Sequence, residues 1–208
     1  MSRETELEAV AAEVRGCTRC PLHLSRKNAV PGAGPPDAAV MLVGEGPGRN
    51  EDEQGLPFVG AAGKNLDSLL SEAGLDRSSV FITNAVKCRP PGNRRPARGE
   101  LDACHSYLRR QMELIEPRTV VLLGDTALKE VFPDASLGKV HGKPMKRGDL
   151  TFVAVYHPAS VIYNPSLKEA LSGDFRALGE SVKASGRRPR GGDGREVGDG
   201  DGTASATG

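Results

Sequence analysis

Carboxylates, an aromatic ring and closely spaced glycines crowd one stretch of the chain: Gly44-Glu45-Gly46-Pro47-Gly48, then Glu51-Asp52, then Pro57-Phe58-Val59-Gly60. Glycines let a backbone approach a ligand closely, and Pro47 stiffens the turn between them. Carboxylates behind such a turn can orient water or stabilise a cation. The apolar run Ala39-Val40-Met41-Leu42-Val43 leads in, and Leu66, Leu69 and Leu70 follow at helical spacing. Strand, glycine turn and helix in that order mark where open α/β sheets bind ligands. A dinucleotide fingerprint needs a glycine at position 49, where the chain has Arg49, and no Gly-Lys-Ser/Thr ends the loop as a Walker motif requires. A purely structural tight turn is the competing reading; the clustered acids favour a site.

Two further groups belong to the same edge if the sheet is parallel. Asn84 lies in the strand Val80–Val86, and Tyr156-His157-Pro158-Ala159-Ser160 follows the strand Thr151–Val155. Singly, each has a plain explanation: Asn84 closes a turn, His157 is a structural histidine, Phe58 is core. Jointly, an amide, an imidazole, a phenyl ring and carboxylates make a pocket for a planar hydrogen-bonding ligand. Two stretches without acids, Arg89–Arg98 and Lys139–Arg147, could hold phosphates by charge, although each alone reads equally well as a solvated loop. With them nearby, a flipped nucleobase fits, stacked on Phe58 and read along its edge by Asn84.

The four cysteines are Cys17, Cys20, Cys88 and Cys104. One Cys-x-x-Cys pair in a reducing compartment argues for metal before disulfide. The second pair is too widely spaced for a compact zinc knuckle, and thiolates from three segments suit an iron–sulfur cluster at least as well. Spacing leaves both metals open. His105 beside Cys104 is read as incidental.

These groups need a scaffold. Leu7, Val10, Ala11 and Val14 mark one face of a first helix ending at Gly16, and prolines and glycines make residues 21–38 an extended crossing segment. Helices are predicted over 62–73, 98–115 and from Asn164-Pro165 onward, the last with a stripe of Leu167, Leu171, Phe175, Leu178 and Val182. Four strands (39–43, 80–86, 119–123, 151–155) alternate with them. The expected fold is a three-layer α/β/α sandwich with a central four-stranded parallel sheet. Residues 1–183 form the domain; 184–208, rich in glycine with arginines balanced by acids, is read as a disordered tail. The net charge of +1 excludes no function class. Without a signal-peptide pattern or a long apolar span, the chain is read as soluble and cytoplasmic, associated with the nucleoid when on DNA.

Taken in order, Gly44–Gly48 with Glu51-Asp52 and Gly55–Gly60, then Thr83-Asn84-Ala85-Val86-Lys87-Cys88-Arg89-Pro90-Pro91-Gly92-Asn93-Arg94, then His157-Pro158-Ala159-Ser160, resemble the motifs of family 4 uracil-DNA glycosylases, and the cysteines fall where that family ligates a [4Fe-4S] cluster. The similarity spans roughly Leu7 to Val182. It implies a monofunctional hydrolase that cleaves the N-glycosidic bond of uracil in single- or double-stranded DNA and leaves an abasic site for base excision repair, acting as a monomer. Asn84 would read the uracil edge, Phe58 would stack on the base, and Gly44 and Gly46 would position it through main-chain amides. Ser160 and the segment to Tyr163 would approach the DNA. His157 would stabilise charge on uracil O2, and Glu45 and Glu51 are the candidates to orient water or stabilise the sugar cation. Cys17, Cys20, Cys88 and Cys104 would hold a structural cluster.

Well-known relatives carry an aspartate where this chain has Gly46. A sister group that cross-links to its product has Gln there and an Arg-Arg-Ile-His insertion after the second strand; this chain has neither, and His141 is read as a loop histidine. Turnover is expected over cross-linking. The rival from another class is a non-catalytic iron–sulfur or zinc protein that binds nucleic acid without releasing a base; a redox sensor built on Cys17 and Cys20 leaves the pocket residues without purpose.

Overall fold

The computed structural model of the chain describes residues 2–186. Its strands are β1 (Val40–Gly44), β2 (Phe81–Asn84), β3 (Thr119–Leu123), β4 (Pro144–Arg147) and β5 (Leu150–Val155), arranged in one sheet in the order β2-β1-β3-β5-β4. Helices are α1 (Arg3–Arg15), α2 (Arg49–Gln54), α3 (Ala61–Glu72), α4 (Arg98–Ile115), α5 (Asp125–Val131), α6 (Leu137–Val140), α7 (Ser160–Tyr163) and α8 (Lys168–Gly186). Because α8 runs to Gly186, the first residues of the expected tail are helical, and the rest of it, 187–208, lies outside the described residues.

Alternation along the strands sorts the core into layers, since successive strand residues face opposite sides. Val40, Leu42, Val121, Leu123, Val153 and Val155 pack with Leu66 and Leu70 of α3 and Leu171 and Phe175 of α8. Their neighbours Met41, Val43, Val120, Leu122, Phe152 and Ala154 pack with Leu108 and Ile115 of α4 and Leu128 of α5. This is the expected three-layer sandwich.

The expected sheet lacked one strand. β4 pairs antiparallel to β5 through Arg147↔Leu150, across the two-residue turn Gly148-Asp149, while β1, β2, β3 and β5 are all parallel. Lys146 and Arg147 conceal β4 in the sequence because an edge strand needs no apolar alternation, and its charges discourage edge-to-edge pairing. The stretch read as a second basic loop is therefore α6 and an edge strand.

A third apolar cluster joins α1 (Val10, Val14) and Leu22 to Val86, Cys88, Leu101 and Cys104. The crossing segment contains a 3-10 turn at Pro21–Leu24 and an antiparallel bridge, Ala33↔Ile82. It is anchored by buried Asp52, whose carboxylate accepts from the backbone N–H groups of Lys27 and Asn28. The cysteine-bearing end of the chain is thus fastened to the helix behind the glycine loop. Among the described residues, no helix is long and apolar enough to cross a membrane.

Candidate active site

From β1 the chain proceeds to β2 on one side, while β3 lies on the other, so the carboxyl ends of β1 and β3 splay at a topological switch point. A cleft of about 420 Å³ opens there. Glu45, Gly46, Glu51, Phe58, Asn84 and His157 all line it, together with Gly124 and Asp125 from the loop after β3.

Asn84 ends β2 in register with Gly44. Its side chain is buried, and its Oδ1 has no hydrogen-bond partner among the described residues. A buried unpaired amide oxygen is costly, which singles out Asn84 as a candidate for binding a ligand. Gly44 accounts for the fit: a Cβ there would overlap both Asn84 Oδ1 and the Phe58 ring. Gly44 itself does not line the cleft; its contribution is the room it leaves.

Phe58 has φ of 52°, a left-handed backbone unusual for an aromatic residue. Three contacts hold it there. The Glu51 carboxylate accepts from Val59 N (2.8 Å) and Gly60 N (2.9 Å), the Arg77 guanidinium donates to the Pro57 carbonyl, and Gly63 leaves space for the Phe58 carbonyl against α3. The other Glu51 oxygen accepts from Gly48 N at 3.1 Å. Glu51 therefore braces the glycine loop against the Phe58 turn with both oxygens engaged. Glu45 differs: one oxygen accepts from the Thr126 hydroxyl at the start of α5, and the other has no donor among the described residues.

His157 stacks on Phe58, ring centroids 5.7 Å apart. The Ala159 N–H donates to His157 Nδ1 at 3.1 Å, so the ring proton sits on Nε2. Burial pushes the imidazole down to about 4, against an opposing pull from the Glu51 charge, and the ring is neutral near pH 7. Ser160 lies outside the cleft lining; its hydroxyl donates to the His157 carbonyl at 2.6 Å and closes the turn. Ala159 and exposed Tyr163 reach the cleft wall instead.

Of the two basic stretches, only Arg89–Arg98 reaches the cleft, through Arg94 and Arg95. Arg94 pairs with Glu100 (2.6 Å) and Arg95 with Asp125 (3.6 Å), so both cations are partly compensated. His141 bonds Asp174 (2.9 Å) beside the Tyr156 ring, away from the cleft.

Cys17, Cys20, Cys88 and Cys104 line a separate cavity with Arg19, Arg26 and Tyr107, and all four thiols are free. His105 is not part of it and faces Glu130. Arg26 donates to Cys88 Sγ at 3.0 Å. Among the described residues, no three acidic, histidine or cysteine side chains come close enough to hold a single metal ion.

Two features escaped the sequence reading. Asp125 and Thr126 follow β3, and the rule that polar groups after parallel strands share an edge would have found them. Lys87 carries no signal of its own, since a lysine between an apolar residue and a cysteine reads as surface; it is among the largest fully buried side chains, with 1% of the residue exposed. Burial pushes its ammonium down to about 7, with Cys104 opposing, while three oxygen acceptors match the three protons of the charged form.

Fold and cleft together define an open α/β protein with a candidate ligand site at its switch point. A profile of the uracil DNA glycosylase superfamily matches residues 31–177. The chain is 46% identical over 184 residues to the type-4 uracil-DNA glycosylase of Sulfurisphaera tokodaii, covering 84% of each chain. It is 43% identical to that of Archaeoglobus fulgidus over 84% of this chain and 92% of the relative, and 45% identical to that of Saccharolobus solfataricus over 86% and 87%. The chain belongs to the type-4 uracil-DNA glycosylases of that superfamily.

Proposed function

We propose that the protein excises uracil from DNA by hydrolysing the N-glycosidic bond, leaving an abasic site. The observation that carries this reading is the unpaired amide oxygen of Asn84, buried in a cleft walled by Phe58 and neutral His157. With Oδ1 toward N3–H and the amide N–H toward O4, the Asn84 side chain suits uracil, and in that orientation it mismatches cytosine. Phe58 gives the base a flat apolar wall.

His157 donates from Nε2 to the oxygen where charge develops as the bond breaks. A neutral donor fixed by a backbone amide needs no reorganisation at that moment. Glu45, with an oxygen free of protein donors, orients the attacking water, while Glu51 acts as a positioning residue through the loops it braces. The Gly46 and Gly48 backbone shapes the floor. A Cβ at Gly46 would press on Val86 Cγ2, so an aspartate there, as in better-known relatives, would require Val86 to shift. Arg94 and Arg95 at the mouth attract the phosphate backbone, and affinity should fall with salt.

The four cysteines would hold a [4Fe-4S] cluster. Four thiols drawn from three segments ring one cavity, as a [4Fe-4S] cluster requires, and Arg19 and Arg26 beside them offset thiolate charge. Such a cluster would tie the N-terminal segment to the β2 exit and to α4, with no part in the bond cleavage. The protein is expected to act as a monomer, in the cytoplasm and on nucleoid DNA.

The test is incubation of the purified protein with a uracil-containing oligonucleotide, then alkali and a denaturing gel. Cleavage at uracil with turnover supports the reading. A heat-stable shifted band would replace it with covalent trapping, and neither cleavage nor shift would leave a binding protein.

A further inference from the structure

Lys87 occupies an unusual position for a lysine. Its Nζ lies 2.6 Å from Thr83 Oγ1, 2.7 Å from the Asn84 carbonyl and 2.8 Å from Gln111 Oε1, with 1% of the residue exposed. Around it the network closes. The Gln111 amide donates to the Pro31 carbonyl at 2.6 Å, the Thr83 hydroxyl donates to the same carbonyl at 3.0 Å, and the Lys87 carbonyl accepts from Val30 N at 2.7 Å. Three pieces of chain meet here: the crossing segment, the end of β2, and α4.

An apolar residue of similar length would fill this volume without the desolvation cost of an ammonium, so the lysine is there for its hydrogen bonds. What they hold is the backbone of Asn84. Because Asn84 Oδ1 has no partner among the described residues, no hydrogen bond to that atom aims the amide; its direction depends on where β2 ends. The β1 ladder holds the strand from one side, through Ala85 N to the Gly44 carbonyl at 2.8 Å. Lys87 holds it from behind.

We propose that Lys87 is a positioning residue for base recognition: its three-way buried hydrogen bonding to Thr83, the Asn84 carbonyl and Gln111 sets the aim of the Asn84 amide in the cleft. The inference rests on the reading of Asn84 as the group that reads uracil. Misplacing a recognition group by about 1 Å costs on the order of 10²-fold in rate.

The test is single-turnover excision from a saturating single-stranded uracil oligonucleotide by the cluster-loaded full chain, comparing wild type with Lys87→Met. Rate and amplitude separate the two roles. A positioning loss lowers the rate about 10²-fold while the amplitude, the affinity for a uracil-free oligonucleotide and the visible absorbance per chain are kept. A merely structural loss lowers the amplitude and leaves the rate of the remaining active molecules unchanged, and that result, or an unchanged rate at full amplitude, overturns the proposal. If Lys87→Met does not accumulate folded, Gln111→Met, which withdraws one acceptor and keeps the lysine, is judged by the same criterion with a smaller fall in rate. Absence of excision by wild type would refute the uracil reading itself, an outcome distinct from an active wild type matched by its variant.

Discussion

The His157 imidazole stacks on the Phe58 ring with centroids 5.7 Å apart and planes inclined by 28°, so one aromatic wall of the cleft combines an apolar ring with the Nε2–H group of a neutral imidazole. Neither ring is placed by its own strand alone. Phe58 is held in a left-handed backbone by Glu51 and Arg77, and His157 by the Ala159 and Ser160 turn.

That wall makes the histidine insensitive to physiological pH. Its value falls from 6.5 to about 4 through burial, so kcat/KM for uracil excision should show no histidine limb between pH 5 and 8. An inflection near 6.5 removed by His157→Asn would contradict this. Between 6.5 and about 4 the unfolded chain binds this proton more readily than the folded one. The contribution to stability is therefore complete above that window and is lost as pH falls through it, by about 3 kcal/mol in all.

The two loop carboxylates should separate in their variants. Glu45→Gln keeps an acceptor for Thr126, so the melting temperature should hold while kcat falls by about 10²-fold or more. Glu51→Gln places an amide against three backbone N–H donors and should cost about 1–3 kcal/mol of stability along with activity. Thermal melts paired with kinetics on both proteins decide; a stable but inactive Glu51→Gln would reverse the assignment.

Asn84→Ala should lose at least about 10²-fold in uracil excision and remain folded, brown and able to bind DNA. Gly44→Ala should mimic it, since the added methyl overlaps Asn84 Oδ1 and Phe58. Wild-type rates in either variant would remove Asn84 from base reading.

Removing one thiol should act on the fold before the chemistry. Cys17→Ser is expected to lose visible absorbance and melting temperature together, with activity following the folded fraction. A stable, colourless and fully active Cys17→Ser protein would refute a structural cluster.

Much of this architecture is written in local patterns. Apolar runs specified the four parallel strands, Leu101, Leu108 and Ile115 placed α4, and parallel topology sent Glu45, Asn84 and His157 to one edge. The edge strand Pro144–Arg147 was not legible, because its charged residues carry no burial signal. Nor were the separate tasks of Glu45 and Glu51, identical in type and six positions apart. Which backbone donors converge on a carboxylate depends on how two loops meet, and that is a tertiary fact. The same holds for Lys87, whose burial follows from β2, α4 and the crossing segment packing around it. The layers, the sheet edge where the polar groups gather and the family were all legible in the chain, since periodicity and motif order are local properties. Which polar groups are engaged and which stay free could be settled only by tertiary packing, because hydrogen bonds join residues far apart in the chain, 80 positions for Gln111 and Pro31 and 81 for Thr126 and Glu45.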